Sequence, residues 1–444
     1  MDNVHFIAIG GSVMHNLAID LHLLGYNVTG SDDEIYEPAA SRLSKHGLLP
    51  QYTGWDSGKI HEGLNFVVLG MHAKMDNPEL KAALAMNIPV YSYPELVFNM
   101  AADKKRVVIA GSHGKTTITS MILHVLKKTD RKFDYLVGAQ INGFTNMVQL
   151  SDAPLMVMEG DEYLSSPIDL RPKIHHYRPH VTVLSGIAWD HVNVFPTFES
   201  YLKAFSGYVD MIQPGGTVIF NKNDEEITRI LEKVRPDILT IPYLPFERSQ
   251  NENAIIFKQK SYPISVIGEH NLSNMAAAME VCQQLGITEI QFLEKISDFT
   301  GAAKRLQLIS EKNQRFVYLD FAHSPSKVKA TTAAFKHWFS GKKMLALLEL
   351  HTYSSLDPFF IAQYRNTLQD ADEVVIFVSA NTLKIKNKKL LSEEAVKNAF
   401  LHPNLLYITS KEELSQVLSD KRYEALNILC MSSGNFDQLD LKQI

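Results

Sequence analysis

The chain has 444 residues, of which 45% are apolar and 21% charged, so it has the composition of a globular protein with an ample core. Lys and Arg number 44 against 49 Asp and Glu, and the net charge of −5 argues against nucleic acid as the main partner. Cys282 and Cys430 fit neither a zinc motif nor a disulfide framework, as expected of a cytoplasmic protein. The first residues lack a signal-peptide pattern, and apolar runs stay below roughly 18 residues, so we expect no membrane association.

Short β-branched runs alternate with helical stretches along the chain, a pattern that predicts parallel sheets with crossover helices. The predicted strands are Val4–Ile9, Val28–Ser31, Phe66–Leu69, Arg106–Ala110, Leu155–Met158, Val181–Leu184, Val218–Phe220, Val317–Phe321, Met344–Leu348, Glu373–Val378 and Ile428–Met431. The predicted helices are Met14–Leu24, Pro78–Ala85, Lys115–Lys127, Lys327–Phe339 and Phe359–Leu368. Residues 247–260 are expected to form a loop or hairpin.

Two short segments separate three blocks of this α/β pattern. A polar joint at Ala101–Lys105 and a hinge at Thr300–Ala303 predict domains at residues 1–103, 104–302 and 303–444.

The second block opens with a glycine-containing loop, Ala110–Thr117, between a predicted strand and a predicted helix. Glycines let backbone N–H groups turn toward phosphate oxygens, and the helix N-terminus adds partial positive charge. Lys115 would reach the β- and γ-phosphates, and Thr116 would offer its hydroxyl to Mg²⁺. The usual first glycine of a phosphate loop is replaced by Ile109, but the strand–loop–helix context favours nucleotide binding over an incidental turn.

Two acidic or histidine-containing motifs follow later strands of the same block. Glu159–Glu162 has the sequence E-G-D-E directly after an apolar strand, where a carboxylate can bind Mg²⁺ or simply form a solvated turn. Asp190-His191 is a weaker motif, since His191 is either a metal ligand or a surface histidine beside a capping aspartate. His175-His176 lacks an evident third ligand, and we interpret both as structural.

The first block has its own turn, Ile9–Met14, after the first strand, and Asp32 follows the second strand, where an acidic residue can bind a ribose hydroxyl. On these residues alone, a dinucleotide, a nucleotide sugar and a purely structural turn all remain open.

Five motifs in this order resemble those of the Mur ligase family, the ATP-dependent amide ligases of peptidoglycan synthesis. They are Gly111–Thr117 (G-S-H-G-K-T-T), Glu159–Glu162, Gly268–Asn274 (G-E-H-N-L-S-N), Lys304–Leu306 (K-R-L) and Asp320–Pro325 (D-F-A-H-S-P). The set covers nearly the whole chain.

The resemblance implies an α/β fold with a Rossmann-like UDP-binding N-terminal domain, a central P-loop ATPase-type domain and a Rossmann-like C-terminal domain. Implied catalytic residues are Lys115, His191, Arg305 and His323. Implied ATP-binding residues are Gly111, Ser112, His113, Gly114, Lys115, Thr116, Thr117, His270, Asn271, Asn274, Arg305 and Asp320. Implied UDP-sugar-binding residues are Gly10, Gly11, Ser12, Met14, Ser31, Asp32 and His72, and implied Mg²⁺ ligands are Thr116, Glu159 and His191.

Within the family, the stretches Gly30–Pro38, Glu162-Tyr163 and Lys173–Tyr177 resemble the branch that joins L-alanyl-γ-D-glutamyl-meso-diaminopimelate to UDP-N-acetylmuramate. The branch that adds L-alanine is the alternative, and a nucleotide-gated binding protein without ligase activity is a third. Phe205-Ser206 lies where several other family members have a carbamylated lysine. The implied partners are UDP-N-acetylmuramate and an amine, and the implied oligomeric state is a monomer or weak homodimer.

Four positions depart from the family pattern. Ala8 and Val13 stand where glycine is frequent, Ala188 where relatives have glutamate, and Thr352 where the alanine branch has the arginine of H-R-Y. The last departure affects the expected acceptor site, while the nucleotide motifs are intact.

Overall fold

The computed structural model describes residues 2–141, 143–189, 194–249, 253–301, 306–312, 315–420, 423 and 426–443. The chain divides into two compact units. The first unit consists of Met1–Glu247, Ile256–Tyr262 and Ser273–Ser297, and the second of Arg248–Ile255, Pro263–Leu272 and Asp298–Ile444.

The strands alternate with helices as the pattern of the sequence predicts. In chain order the strands are β1 (Asn3–Ile7), β2 (Asn27–Ser31), β3 (Phe66–Leu69), β4 (Val90–Ser92), β5 (Lys105–Ala110), β6 (Asp134–Leu136), β7 (Val148–Gln149), β8 (Leu155–Glu159), β9 (Leu164–Ser166), β10 (Asp169–Pro172), β11 (Val181–Leu184), β12 (Thr217–Asn221), β13 (Leu239–Tyr243), β14 (Glu247–Arg248), β15 (Ala254–Phe257), β16 (Lys260–Pro263), β17 (Gln307–Lys312), β18 (Arg315–Asp320), β19 (Met344–Glu349), β20 (Glu373–Phe377), β21 (Leu405–Ile408) and β22 (Asn427–Met431).

The helices are α1 (Ser12–Leu23), α2 (Ala39–Lys45), α3 (Pro78–Ala85), α4 (Tyr93–Met100), α5 (Lys115–Lys128), α6 (Ile174–Tyr177), α7 (Phe198–Asp210), α8 (Glu225–Leu231), α9 (Glu269–Gln284), α10 (Glu289–Ile296), α11 (Pro325–Trp338), α12 (Ala380–Ile385), α13 (Glu393–Phe400) and α14 (Lys411–Leu418). Short 3-10 helices occupy Ser57–Lys59, Ile361–Tyr364, Phe436–Gln438 and Leu441–Gln443.

The first unit contains two parallel sheets. The N-terminal sheet has the strand order β2-β1-β3-β4, and the larger sheet has the order β13-β12-β11-β5-β8-β6-β7, in which only β7 is antiparallel to its neighbour. Strand β5 is central, between β11 and β8, so the loop that follows it emerges at the middle of the carboxyl edge of the sheet. That edge is where ligands of open α/β sheets usually bind.

The segment between these two sheets is fixed by one buried guanidinium. Arg106 is 3% exposed, and its side chain donates hydrogen bonds to the carbonyl oxygens of Ala101, Ala102 and Lys104 at 3.0, 2.7 and 3.1 Å. It also donates to the carbonyl of Tyr177 at 3.0 Å. Because all of these acceptors are backbone groups of one turn and one neighbouring helix, the polar segment at 101–105 has a defined conformation.

A continuous hydrophobic core runs through the first unit. It contains residues of α1 such as Leu17, residues of α4 such as Val97, and residues of the larger sheet such as Met156. A separate cluster, with Val67 and Leu80, covers the other face of the N-terminal sheet. The shared core explains why the N-terminal sheet and the larger sheet belong to one compact unit.

The second unit has a six-stranded sheet of order β17-β18-β22-β19-β20-β21. Only β17 is antiparallel to its neighbour; the other pairs are parallel, for example Leu345 opposite Ile428. Its core includes Leu347, Phe377 and Ile428, all fully buried. The carboxyl ends of β18, β22, β19 and β20 therefore lie side by side at one edge.

The structure confirms the predicted α/β class, and one predicted helix is wrong. Residues 359–368 form only the 3-10 helix Ile361–Tyr364 with turns on either side. Arg365 leaves the helical region with φ −52° and ψ +125°, which ends the helix before a second turn can form. Among the described residues, none of the helices combines the length and hydropathy needed to cross a bilayer.

Two side chains of α1 tie the N-terminal sheet to the larger one. Asn16 accepts a hydrogen bond from the Met147 amide at 3.0 Å, and Asp20 accepts one from the Leu150 amide at 2.7 Å. Burial raises the pKa of Asp20 to about 7; the Leu150 amide opposes this shift and the charge of Asp134 adds to it. Ionisation of Asp20 therefore lowers the free energy of unfolding at neutral pH.

We predict that Asp20→Asn stabilises the protein above pH 7. Because the pKa of Asp20 is higher in the folded than in the unfolded chain, its penalty grows as pH rises from about 4 to 7 and is constant above that. The amide still offers an oxygen to Leu150, and the expected gain in unfolding free energy at pH 8 is about 2–4 kcal/mol.

The gain should shrink steadily toward pH 4, as measured by urea unfolding at several pH values. The exposed Asp152→Asn serves as the control and should show little change at any pH. A gain of equal size at all pH values would contradict the role given to the Asp20 charge.

Candidate active site

The loop from β5 to α5 has the backbone of a phosphate loop. Gly111 has a φ of +128°, and Gly114, at the N-cap of α5, has a φ of +78°. A Cβ at Gly111 would lie 2.3 Å from the hydroxyl of Ser185, and one at Gly114 would lie 2.4 Å from Oδ1 of Asn274. Backbone conformation and close packing therefore both require glycine at these two positions.

The loop lysine is held in place by a buried carboxylate. Nζ of Lys115 donates to Oε2 of Glu162 at 2.8 Å and to the carbonyl of Gly111 at 2.7 Å. Glu162 is 1% exposed, and its other oxygen accepts a hydrogen bond from the hydroxyl of Tyr201 at 2.8 Å. The hydroxyls of Tyr201 and Ser112 are also 2.8 Å apart, so a chain of hydrogen bonds runs from the loop through Tyr201 and Glu162 back to the loop lysine.

A second carboxylate contacts the loop threonine. The Thr116 hydroxyl donates to Oε1 of Glu159 at 2.8 Å, and the Gly138 amide donates to Oε2 at 2.8 Å. Burial raises the pKa of the Glu159 carboxyl, and the hydrogen bonds from Gly138 and Thr116 and the charge of Lys115 oppose this shift. A hydroxyl and a carboxylate in contact beside a phosphate loop form an oxygen donor pair of the kind that Mg²⁺ prefers.

The first loop of the chain opens onto the same region. The Gly10 amide donates to Oδ2 of Asp32 at 2.7 Å, which fixes the turn after β1 against the end of β2. Burial raises the pKa of Asp32 to about 6, in part opposed by the Gly10 amide. Ser12 and Met14 begin helix α1, and Ser31 is fully buried at the end of β2.

One cavity of about 360 Å³ joins the first loop to the phosphate loop. Its lining includes Gly11–Met14, His72, Lys115, Glu159, Asp161 and Lys173. Two ammonium groups and two carboxylates thus face one space. A cavity lined by charges of both signs suits a polar ligand that meets the ammonium groups with its own anionic groups.

Asp161 and Lys173 form an ion pair at the wall of this cavity, with Nζ 2.5 Å from Oδ2. Burial alone would raise the pKa of Asp161, but the charge and hydrogen bond of Lys173 and the charge of Lys115 outweigh it and lower the pKa. The Asp161 carboxyl is therefore ionised at neutral pH.

The predicted adenine-binding residues lie at the start of helix α9. Asn274 belongs to the first unit and packs against Gly114 of the phosphate loop. Asn271 and His270 belong to the second unit, where the Asn271 amide donates to the carbonyl of Ile267 at 2.7 Å. His270 has an exposed side chain whose ring packs against Gly268.

The predicted residues of the C-terminal region lie at the carboxyl end of β18. Asp320 accepts hydrogen bonds from the amides of Leu306 at 2.8 Å and Ala322 at 2.7 Å. His323 Nδ1 contacts the carbonyl of Phe321 at 2.7 Å. Both oxygens of Asp320 thus bind nearby backbone, and its predicted contact with a ribose stays a prediction.

Three predicted features lie outside the described residues: Asp190-His191, Arg305 and Lys304. Their roles stay predictions. Of the other predicted residues, His72 lines the cavity, His113 and Thr117 flank the loop glycine and lysine, and the buried Phe205 packs edge-to-face on Tyr201 at 5.2 Å.

The departures from the family pattern have local explanations. Ala8 adopts a φ of +67°, a conformation that glycine would adopt without the cost of roughly 1–2 kcal/mol that a side chain brings. Val13 lines the cavity. Ala188 uses only its amide, which donates to the Ser112 hydroxyl at 2.8 Å. The Thr352 hydroxyl accepts from the Ser355 amide at 3.0 Å and closes a turn.

Four residues of the site were not assigned from the sequence: Asp161, Glu162, Lys173 and Tyr201. Asp161, Glu162 and Lys173 belong to the motifs Glu159–Glu162 and Lys173–Tyr177, but a motif does not show which side chain points into the cavity. Tyr201 follows the phosphate loop by almost ninety residues, and only the fold brings it to Glu162.

We predict that Gly114→Ala destabilises the protein more than Gly215→Ala does. Gly215 has a φ of +71°, close to that of Gly114, but a Cβ there would meet no atom within 4 Å. The control therefore carries the cost of backbone strain alone, whereas Gly114→Ala also displaces Asn274.

Gly114→Ala should lower the free energy of unfolding by about 2 kcal/mol more than Gly215→Ala does, as is typical of overpacking in a close-packed site. Denaturant unfolding of both variants measures it. Equal losses would show that Asn274 moves away without cost.

Three family models match the chain in succession. Residues 3–105 match the model described as the Mur ligase family, catalytic domain, residues 109–282 the Mur ligase middle domain, and residues 304–434 the Mur ligase, glutamate ligase domain.

Individual relatives match over almost the full length. The chain is 30% identical to the UDP-N-acetylmuramate–L-alanine ligase of Carboxydothermus hydrogenoformans, with 99% of this chain and 95% of that protein covered. It is 26% identical to the UDP-N-acetylmuramate–L-alanyl-γ-D-glutamyl-meso-2,6-diaminoheptandioate ligase of Haemophilus influenzae, with 100% and 98% covered.

Among solved structures, the UDP-N-acetylmuramate-alanine ligase MurC of Thermotoga maritima has the same fold, with a TM-score of 0.72, 20% identity, and 99% of this chain and 97% of that chain covered. The phosphate loop with its buried carboxylates, the three successive family models and these full-length relatives agree, and the chain belongs to the Mur ligase family of ATP-dependent ligases that form C–N bonds.

Proposed function

We propose that this ligase joins the amine of L-alanyl-γ-D-glutamyl-meso-diaminopimelate to the lactyl carboxylate of UDP-N-acetylmuramate through an acyl phosphate. The product would serve the recycling of cell-wall peptide. The choice of acceptor depends on one observation. The lysine-rich segment Lys384–Lys389 lies beside the loop that follows β19.

ATP would bind at the phosphate loop. The amides of Ser112–Thr117 and the N-terminus of α5 suit the phosphates, and Lys115 would exchange its contact with the Gly111 carbonyl for a γ-phosphate oxygen. Glu162 holds the ammonium at the loop. Asn274, packed on Gly114, would link the loop to the nucleotide beyond it.

Mg²⁺ fits the residues present. Thr116 and Glu159 offer a hydroxyl and a carboxylate in contact at 2.8 Å. Mg²⁺ usually takes one or two carboxylates together with substrate phosphates and water. In the described part of the chain no group of three or more His, Cys, Asp or Glu side chains could hold a metal by itself. When bound, the ion would neutralise charge on the phosphates.

UDP-N-acetylmuramate would bind from the first loop. Its diphosphate would meet the N-terminus of α1 at Gly11 and Ser12, and Asp32 and His72 would contact the nucleoside or sugar. The cavity that continues from Gly11–Met14 to Lys115 then leads the lactyl carboxylate toward the γ-phosphate.

The reaction must activate a poor electrophile. An oxygen of the lactyl carboxylate attacks the γ-phosphorus, the bond to ADP breaks, and an acyl phosphate forms. The amine attacks the acyl carbon, loses a proton, and phosphate leaves as the amide forms. The attacking carboxylate and the ATP phosphates repel each other, so Lys115 contributes by neutralising charge that develops in the transition state.

The acceptor would bind at the carboxyl edge of the sheet in the second unit. The loop after β19 contains His351, Thr352 and Tyr353, and the neighbouring loop after β20 leads into a segment with four lysines in six residues, Lys384–Lys389. Nζ of Lys386 lies 4.3 Å from the centre of the Tyr353 ring. Nζ of Lys388 lies 3.7 Å from a carboxylate oxygen of Asp357.

Lys386 and Lys388 thus lie beside the loop in which the alanine branch has a single arginine. The tripeptide carries three carboxylates, whereas L-alanine carries one, so a cluster of lysines suits the tripeptide. Tyr163, directly after Glu162, also matches the motif of the tripeptide branch.

Addition of L-alanine is the second candidate. The L-alanine ligase of Carboxydothermus hydrogenoformans is 30% identical to this chain, against 26% for the tripeptide ligase of Haemophilus influenzae. Both reactions share the nucleotide, the UDP sugar and the acyl phosphate, so identities this similar do not decide the acceptor.

We predict that the tripeptide supports faster ADP release than L-alanine at saturating ATP and UDP-N-acetylmuramate. The assay follows ADP release with a panel of amines, and the expected advantage of the tripeptide in kcat/KM is at least about 100-fold, equivalent to a few charged contacts. Lys115→Met is the control for background ATP hydrolysis, because it removes the ammonium at the γ-phosphate and should abolish turnover while UDP-N-acetylmuramate still binds. A higher kcat/KM with L-alanine would contradict the proposal and support the second candidate, the addition of L-alanine.

We predict that Lys386→Ala raises the KM for the tripeptide by about 10-fold, as expected for the loss of one charged contact. The KM for ATP should stay unchanged, since the nucleotide binds elsewhere. The control is Lys397→Ala, which removes an exposed lysine that pairs with Glu393 within α13. An equal effect of both substitutions, or none, would exclude the lysine segment from the acceptor site.

A further inference from the structure

Lys173 is a buried cation in the cavity of the first unit that the nucleotide machinery does not use. It follows strand β10 and is 8% exposed. Its ammonium lies 2.5 Å from Oδ2 of Asp161 and 5.5 Å from the ring centres of both Tyr93 and Tyr163. The ammonium thus lies near two aromatic rings and one carboxylate.

The backbone around Lys173 fixes its position. The Lys173 amide donates to the carbonyl of Tyr163 at 2.9 Å, and the Ile174 amide donates to the carbonyl of Asp161 at 3.1 Å. These bonds close the hairpin of β9 and β10 onto the turn that follows β8. Tyr93, at the start of α4 directly after β4 of the N-terminal sheet, places its ring 5.5 Å from the ammonium.

The ammonium retains capacity for a ligand. A lysine has three N–H donors, and the hydrogen bond to Asp161 uses one of them. Aromatic faces attract a cation but leave its remaining donors without a strong acceptor. The ammonium also lines the same cavity as Lys115 and Gly11–Met14, so an anion in that cavity can reach it.

We propose that Lys173 binds the lactyl carboxylate of the UDP sugar and positions it for attack on the γ-phosphate. The inference rests on the proposed function. Lys173 would hold one carboxylate oxygen while the other forms the new bond to phosphorus and ADP departs; Lys173 transfers no proton. A fixed, dehydrated ammonium orients the carboxylate and reduces its repulsion from the phosphates near Lys115.

The alternative is that Lys173 only closes the hairpin through its bond to Asp161. The two roles differ in how ligand selectivity responds to substitution. UDP-N-acetylglucosamine has the nucleotide and sugar of UDP-N-acetylmuramate but lacks the lactyl carboxylate. A residue that binds this carboxylate affects the affinity for UDP-N-acetylmuramate alone, whereas a structural residue affects both ligands.

The test is calorimetric titration of the full chain with each UDP sugar without ATP. Lys173→Met should weaken UDP-N-acetylmuramate by roughly 10- to 100-fold, as for a lost charged hydrogen bond, and leave UDP-N-acetylglucosamine within about threefold. Lys173→Arg should recover part of the loss. Lys132→Met, at an exposed lysine of the same unit, is the control and should bind both ligands like the wild type.

A second variant keeps the proposal falsifiable if Lys173→Met folds poorly. Asp161→Asn removes the partner but keeps Lys173, so it should preserve or increase the preference for the carboxylate-bearing sugar. A purely structural ion pair predicts instead that both substitutions weaken both ligands alike, and that result would overturn the proposal.

The turnover assay separates this inference from the proposed function. Compared with the wild type, Lys173→Met should raise the KM for UDP-N-acetylmuramate and leave the KM for ATP unchanged. If the wild-type protein ligates none of the amines, the proposed function fails, but the binding comparison still decides whether Lys173 recognises the carboxylate. Equal wild-type affinity for the two UDP sugars would also overturn the proposal.

Discussion

The site depends on two carboxylates near the carboxyl end of β8, the half-buried Glu159 at its last residue and the buried Glu162 shortly after it. A carboxylate removed from water must be paired or hydrogen-bonded, or its charge becomes prohibitively costly. Glu159 is satisfied by Thr116 and Gly138, and Glu162 by Lys115 and Tyr201. The partners of these bonds lie on the first turn of α5, in the loop that follows β6, and on helix α7, so two side chains hold these three parts of the first unit together.

The same requirement prepares the loop for nucleotide. Without phosphate, Lys115 would be a cation facing a cavity, and its contacts with Glu162 and the Gly111 carbonyl keep it near the place where a γ-phosphate would arrive. Binding then exchanges one acceptor for another and needs little rearrangement, which is the meaning of preorganisation in an electrostatic site. Asp161 and Lys173 repeat this arrangement on the other side of the cavity.

Local signals predicted much of this from sequence. The sequence predicted the phosphate loop because its glycines, lysine and threonine are contiguous between a strand and a helix, and it predicted Glu159 because this residue ends an apolar strand. The bonds of Tyr201 to Glu162 and of Asn274 to Gly114 join residues far apart in sequence, and no local pattern encodes such contacts. The predicted helix at Phe359–Leu368 failed for a related reason, since its apolar spacing did not reveal that the backbone of Arg365 is extended.

The amine acceptor is the hardest feature to predict, because activation of the carboxylate by ATP is the same whichever amine attacks. ATP, Mg²⁺ and the UDP sugar impose the same charges on every ligase that activates this carboxylate, so residues such as Lys115 carry no information about the amine. The acceptor is distinguished by its carboxylates, which only the second unit would meet in the proposed reaction. There the relevant signal is the position of cations, Lys386 on Tyr353 and Lys388 beside Asp357, and not a motif. In the proposed reaction, charge at the carboxyl edge of this sheet would select the acceptor, while the residues that serve ATP would be the same for either amine.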